Sequence, residues 1–537
     1  MKKLREQWIY ASMGLIVVLL VVANIMIQGI TCNDEVQLRL NSQNGIRYFL
    51  KRQIIDEDIY QGRILGAIGN LKFISFISTK IYVFRTIEIL FLVTAIVLLG
   101  VLVFRIFKER KIAILSGVLA LVFLPITFEH AVPNAFVIVV CQPLILLLLS
   151  ILLYLDYCEY KKRRYVILSC VFFFWGCCLY EFVVTYVIVF FAISLLKQKG
   201  GGIIFALRES KYNIVTALIY LLCYVIQGKF VPTNYSGTTI NLFNLKGILK
   251  VLKVEWLSAL PGYYLFNKKY KYLHNIYQIE INIDELVLIL VFIISLLSVL
   301  LFLLNDNRSK LKARKYIAIA LLAGGYTVLP TIPNALTVLY QESVSENFFT
   351  SIPVSLFLYF AMIILLTIGI RILADKNRKL LYTIVGGICL LGTCTYITNS
   401  GIAKQQFQDY QRLVSIEQLL SSGFFSGYEE LEIEAPSLYE TRNNLAIEEG
   451  HWTRYISLYI GGNIDISASQ DNSGDFIQMQ KDNSFFMSLN GQNYYVTKND
   501  FDNEMLVKDI TENDILICKN DLIWQKGEYM FYLVQIE

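Results

Sequence analysis

Apolar residues fall in long blocks along this chain, and clusters of lysine and arginine separate the blocks. Each block runs for roughly 15–25 residues, about what an α-helix needs to cross the hydrocarbon core of a bilayer. The first covers residues 8–30 and follows Lys2, Lys3 and Arg5. Its basic start is that of a signal sequence. Its apolar stretch is long enough to span, however, and no small-residue cleavage site follows, so it reads as an uncleaved helix with a cytoplasmic N-terminus. Further spans are predicted at about 82–104, 112–128, 135–155, 213–227, 285–304, 316–330, 352–370 and 380–397. The run 165–196 is basic at both ends, so it reads as a hairpin of two short helices of about 16 residues each, with its apex at Tyr180-Glu181. The total is about eleven spans, and the short basic loops then fall mostly on one side.

Composition agrees and narrows the class. Of 537 residues, 55% are hydrophobic and only 17% charged, with a mean hydropathy of +0.53. A soluble chain is about a quarter charged, so a disordered protein and a conventional cytosolic enzyme are excluded. The net charge of +5 hides a division. Residues 401–537 hold 9 Lys/Arg against 22 Asp/Glu, which leaves 39 basic and 21 acidic residues among the first 400. That basic excess is what cytoplasmic loops require and implies no nucleic-acid partner. Most of the ten cysteines lie inside or beside apolar runs and read as small hydrophobes. The three histidines are far apart in sequence, so no metal centre is expected.

The predicted architecture is an α-helical polytopic membrane protein over 1–397, followed by a small extracytoplasmic α+β domain over 398–537. Three long segments remain outside the membrane: 32–80, 229–284 and 398–537. Transporters keep loops short and polar groups at the midplane. Here the polar residues gather beyond the outer helix ends, which places the chemistry at the outer membrane–water boundary.

The first outer loop carries most of that chemistry. It opens with Cys32-Asn33-Asp34-Glu35, two carboxylates at the exit of the first helix. Apolar residues at 46, 49, 50 and 54 share one helical face, with Arg47 and Lys51 on another, which is the pattern of a helix lying on the bilayer. Asp56-Glu57-Asp58 follows, then Gly62-Arg63 and a second candidate surface helix at 64–77.

These residues resemble the bacterial GT-C class of polytopic glycosyltransferases, the O-antigen glucosyltransferase type in particular. The matching features are the acidic pair after the first helix, the amphipathic first outer loop, Gly62-Arg63, and Tyr180-Glu181 on an outer apex. The likeness covers roughly residues 1–397 and rests on topology and short motifs. It implies a polyprenyl-phosphate sugar as donor and a first-loop carboxylate as catalytic base, carried here by Asp34 with Glu35 as the competing assignment. The chemistry is consistent with this. A sugar hydroxyl needs a carboxylate to accept its proton, and a departing lipid phosphate needs fixed cations. Arg63 is the first candidate for the phosphate, with Arg39, Arg47 and Arg85 in reserve. A single displacement inverts the anomeric centre.

Each residue also has a plainer reading. Asp34-Glu35 fits a solvated helix exit, and Arg63 a headgroup anchor. Asp56 and Asp58 have Asp-x-Asp metal spacing, but a solvated turn is the favoured reading, so no cofactor is expected. Arg85 and Glu88, at i and i+3, are expected to pair with each other. Glu181 is the one carboxylate of a long apolar run and therefore a functional candidate, with Tyr180 beside it. Segment 246–257 reads as a surface helix whose lysines 246, 250 and 253 face away from a Leu/Val face, with Trp256 as anchor. Lys268 and Lys269, amid tyrosines, suit a lipid phosphate or an anionic membrane. Tyr340 and Gln341 are candidate donor or acceptor contacts. In the tail, a helix is expected near 403–421 and strands near 485–487, 494–496 and 530–534.

The expected function is a multi-pass glycosyltransferase of the bacterial cytoplasmic membrane. It moves a sugar from a polyprenyl-phosphate carrier to an extracytoplasmic glycan or glycolipid acceptor, with membrane lipids around it. The alternatives are a polysaccharide polymerase or ligase, and a lipid-linked sugar flippase.

Overall fold

The computed structural model describes residues 2–29, 33–67, 69–126, 132–133, 136–197, 203–266, 282–304, 313–343, 354–376 and 378–420. Beyond these it describes strand residues within 430–536. Seven helices are long and apolar enough to cross a membrane: Gln7–Met26, Ile81–Phe107, Val137–Tyr160, Ile203–Phe230, Ile283–Leu304, Val354–Leu373 and Lys379–Lys404. The chain is a helical membrane protein. Four shorter apolar helices coincide with the remaining predicted spans: Arg110–Val122, Arg163–Leu179, Val187–Lys197 and Ala313–Val328.

Local sequence accounts for the short ones. Pro125 stands just beyond Val122 and cannot continue a helix. At the expected hairpin apex, Tyr180 is extended (φ −145°, ψ 123°) and a 3-10 turn, Glu181–Tyr186, follows. The two halves on either side of this break both pack on Val137–Tyr160 and Ile203–Phe230. Three expectations are corrected. Ile203–Phe230 starts ten residues earlier than the predicted span, and Glu209 in its early turns pairs with Lys161. The region 64–77 is not one surface helix but two 3-10 segments, Ile64–Ala67 and Leu71–Thr79. Gly69 (φ +81°) turns the chain between them, and the Asn70 side chain caps the second. The last span and the tail helix form one uninterrupted helix, Arg378–Leu420.

The chain divides into two compact units, Met1–Met26 with Asn44–Ala403, and Ile27–Gln43 with Lys404–Glu537. The core of the first is built from Leu92, Leu99, Leu119, Phe173, Phe190, Phe292 and Ile363, all buried. Polar ties stitch its helices. Arg105 pairs with Asp156 at 2.5 Å, Ser150 donates to the Ser169 carbonyl, and the Tyr359 hydroxyl donates to the Ala120 carbonyl. Leu207, Val215, Leu218 and Leu222 of Ile203–Phe230 are exposed, as a lipid-facing helix requires.

In the second unit, helix Asn33–Gln43 buries Glu35, Leu38 and Arg39. The Arg39 guanidinium carbon lies 5.8 Å from the centre of the Tyr410 ring, and Gly29 lies where any side chain would collide with that ring. The described strands pair as one sheet in the order Asn463–Asp465, Glu430–Glu434, Phe476–Met479, Phe485–Leu489, Gln492–Thr497, Tyr529–Ile536, Ile517–Lys526. The first two pairings are parallel and the rest antiparallel.

Candidate functional site

The segment between the first two long helices builds its key side chain with a helix stop. Residues 46–60 form a helical run: α-helical Ile46–Leu50, a wider π segment Lys51–Asp56, and α-helical Glu57–Tyr60. Of the apolar face read from sequence, Phe49 and Ile54 are buried, while Ile46 and Leu50 remain exposed. The run ends in a Schellman motif. Gly62 takes φ +73°, its N–H donates to the Ile59 carbonyl at 3.0 Å, and the Arg63 N–H donates to the Asp58 carbonyl at 2.6 Å. The chain reverses at Gly62 and projects Arg63 back across the loop.

Arg63 is then fixed from several sides. Its Nε donates to Glu181 Oε1 at 2.7 Å, and its Nη1 donates to Gln61 Oε1 at 2.8 Å. Its guanidinium carbon stands 4.5 Å from the centre of the Tyr180 ring. Burial works against its charge, but Glu181 and the neighbouring phenols of Tyr180 and Tyr340 outweigh that and raise its pKa well above the ordinary arginine value. Only two of the five guanidinium N–H groups are engaged by described residues, which leaves three donors on a cation 17% exposed.

Two further segments hold this turn. After Ile203–Phe230 the chain runs back along the loop. Gln227 Nε2 donates to the Gly62 carbonyl, Thr233 Oγ1 donates to the Tyr60 carbonyl, and the Tyr60 and Tyr235 rings lie 5.5 Å apart. Beneath, Lys72 pairs with Glu57 at 2.5 Å, Asn70 Nδ2 donates to Asp58, and Gln142 of a spanning helix brackets the turn at Gly69 and Leu71. Desolvation of the buried Asp58 carboxyl pushes its pKa up to about 6, against the opposing pull of Asn70 and Lys72.

Helix Leu245–Ala259 forms the far wall. It is capped by Asn244, whose side chain accepts from Gly247 N, and it packs on the short helices Thr331–Ala335 and Val338–Ser343. The first of these touches the Glu181–Tyr186 turn. Glu255, with no exposed surface, accepts a hydrogen bond from Asn334 Nδ2 at 3.2 Å, and its Oε2 has no partner among the described residues. Burial raises its pKa well above the usual carboxylate range, with the Asn334 bond opposing.

Of the residues singled out from sequence, Arg63, Tyr180, Glu181 and Tyr340 come together here. Gln341 lies beside them but is buried, and its amide donates to the Asn241 and Ala335 carbonyls at 2.9 Å each. Arg85 is fully buried and pairs with Glu88 at 2.6 Å, as the i, i+3 spacing predicts. Arg47 is exposed on Ile46–Leu50. Asp56 pairs with Arg52 at 3.6 Å, while Asp58 turns to Asn70, so the two acids have different partners. Asp34, Glu35 and Arg39 lie together on helix Asn33–Gln43 of the second unit. Lys268 and Lys269 lie outside the described residues.

Gln61, Tyr235, Glu255 and Asn334 were missed in the sequence. The one legible signal was Glu255, which repeats with Val251 and Ala259 at i, i+4 on the buried stripe of its helix. No family model matches this chain, and no curated protein sequence matches it.

Proposed function

We propose that this chain is a membrane glycosyltransferase that moves a sugar from a polyprenyl-phosphate carrier to a glycan or glycolipid acceptor outside the cytoplasmic membrane of a bacterium. The observation that supports it most is Arg63. Glu181, Gln61 and Tyr180 hold its guanidinium in one orientation, three N–H donors stay available, and its charge is secured. A planar cation preorganised in this way fits phosphate oxygens and requires no reorganisation as charge develops on a leaving group.

In this reading an acceptor hydroxyl attacks the anomeric carbon and forms the new C–O bond. The bond from that carbon to the carrier phosphate breaks, and the electron pair leaves with the polyprenyl phosphate at Arg63. Asp34, or Glu35 next to it, takes the hydroxyl proton. One displacement inverts the anomeric configuration. The proposed topology has about eleven spans, a cytoplasmic N-terminus and an extracytoplasmic α+β tail domain that recognises the acceptor or shields the membrane site. The test is to incubate the detergent-purified chain with a panel of polyprenyl-phosphate sugars. Release of polyprenyl phosphate with inverted product is expected, and no cleavage across the panel rejects the reading.

A further inference from the structure

Away from Arg63, the first unit contains a cavity of about 430 Å³, and sixteen of its twenty lining residues are hydrocarbon. Its direction can be read from the helices around it. Tyr186, Tyr326 and Phe357 stand at one level, with the two tyrosine rings stacked at 5.2 Å and Phe357 5.9 Å from Tyr186. From there the lining descends Val137–Tyr160 from Leu144 to Leu155, and Val354–Lys376 from Phe357 to Ile364. It finishes at Arg105 and Lys108, where Ile81–Phe107 ends.

Three properties select an occupant. Leu144 and Leu155 lie eleven helical steps apart, about 16 Å at helical rise and close to half of the ~30 Å hydrocarbon core. The cavity is therefore as long as one leaflet's chains. Between the tyrosine end, where the buried Tyr326 hydroxyl has no partner among the described residues, and the basic rim, its walls are hydrocarbon and give water no polar partner. Its lower rim is basic. Residues 105–111 and 156–164 hold eight Lys/Arg against three Asp/Glu. Arg105 is occupied by Asp156 and Glu159, whereas Lys108 is exposed and pairs with no carboxylate among the described residues.

We propose that this cavity holds one acyl chain of an anionic glycerophospholipid, with the lipid phosphate at Lys108. The site belongs to the leaflet at the basic helix ends, the cytoplasmic one by the positive-inside trend. It is independent of the glycosyltransferase reading, because its headgroup lies at the opposite end of the cavity from the stacked Tyr186 and Tyr326, of which Tyr186 closes the turn that begins at Glu181.

The experiment uses the full chain in phosphatidylcholine nanodiscs doped with phosphatidylglycerol that carries a photoactivatable group near the acyl terminus. Crosslinks are expected in 144–155 and 357–364. They are displaced by unlabelled phosphatidylglycerol and far less by added phosphatidylcholine. Lys108→Glu should reduce labelling about fivefold or more, and Ala361→Phe, which narrows the cavity partway along its length, should reduce labelling beyond that point. The proposal is overturned by labelling spread over the exposed face of Ile203–Phe230, by equal displacement with phosphatidylcholine, or by displacement with polyprenyl phosphate alone. Mapping and competition on the wild-type chain decide the matter even if Ala361→Phe does not fold.

Discussion

Arg63 and Glu181 are 118 residues apart in the chain and meet at 2.7 Å, one on a loop turn and the other at the start of a 3-10 turn between two apolar helices. The pair is partly buried, with side chains 17% and 27% exposed. Arg63→Lys keeps a positive charge but loses the planar fork, so the bonds to Glu181 and Gln61 cannot both persist. Donor KM is expected to rise at least about tenfold, a loss of roughly 1.4 kcal/mol or more, while Arg63→Ala leaves no measurable transfer. Glu181→Gln keeps the size but weakens the hold on the guanidinium. It should cost roughly 1–2 kcal/mol of stability and raise KM less than Arg63→Lys does. Steady-state kinetics and thermal unfolding in detergent check the order, and equal activity in Arg63→Ala and wild type would remove Arg63 from the site.

Gly62 makes that orientation possible. At φ +73° an added Cβ is strained, and it would come within 3.3 Å of Thr238 Cγ2. Gly62→Ala is expected to destabilise by about 1 kcal/mol or more. Gly62→Asn, which tolerates the left-handed region, should cost less. The distinguishing measurement is donor KM. If Gly62 serves only the helix stop, unfolding midpoints fall with KM unchanged; if it also aims Arg63, both change together.

Asp58 predicts a pH dependence. Its ordinary value is 3.8 and its folded value about 6. Between these values the folded state holds the proton and the unfolded state does not, so stability falls as pH rises from about 4 to 6 and then levels off. The full span amounts to about 2–3 kcal/mol. Asp58→Asn accepts the same Asn70 bond without a charge and should flatten that part of the profile, with higher stability than wild type at pH 7. Unfolding midpoints across pH 4–7 test this, and parallel profiles for the two proteins would contradict it.

The membrane helices were legible because block length and apolarity suffice, with no partner needed. The break at Tyr180 was legible for a different reason, because the run 165–196 is basic at both ends. Helix ends were not. Ile203–Phe230 carries Arg208, Glu209 and Lys211 within its first turns, where Glu209 pairs with Lys161 and Arg208 and Lys211 are exposed, so these charges did not mark the helix start. Arg63 was visible through the Gly62-Arg63 motif and Glu181 as the one carboxylate of a long apolar run, yet their meeting depends on how the loop folds over the helix break. Glu255 stood beside lysines in a segment read as a surface helix and was not singled out. Its i, i+4 relation to Val251 and Ala259 placed it on the apolar stripe instead. Gln341 was read as a ligand contact because a polar residue after an apolar stretch carries no sign that backbone carbonyls will claim it.

The choice of base is tested on helix Asn33–Gln43. Glu35 is buried and lies one turn before the buried Arg39, so it has a structural part to play whether or not it acts as base. Asp34→Asn is expected to reduce kcat by about 10²–10⁴ with insertion and unfolding midpoint unchanged. Glu35→Gln should lower the unfolding midpoint. If Glu35→Gln instead abolishes turnover with full stability while Asp34→Asn stays active, the two roles are exchanged.

Glu255 closes the far wall as a buried acid with one hydrogen-bonded oxygen and no cation assigned to it among the described residues. A bare carboxylate there would be costly to desolvate, and burial with one hydrogen bond raises its pKa, which favours the neutral form in the fold. Glutamine imitates that form, since its carbonyl still accepts from Asn334 and its NH₂ replaces the acid hydroxyl. Glu255→Gln is therefore expected to match or exceed wild-type stability at neutral pH, where the unfolded chain gains from ionising Glu255 and the variant removes that gain. Glu255→Ala leaves Asn334 Nδ2 without its acceptor and opens a void, at about 2–4 kcal/mol. As pH rises above the ordinary carboxylate range, wild type should lose stability relative to Glu255→Gln. A stability gap that instead widens in favour of wild type on raising the pH would show the carboxylate to be charged in the fold and matched by a cation.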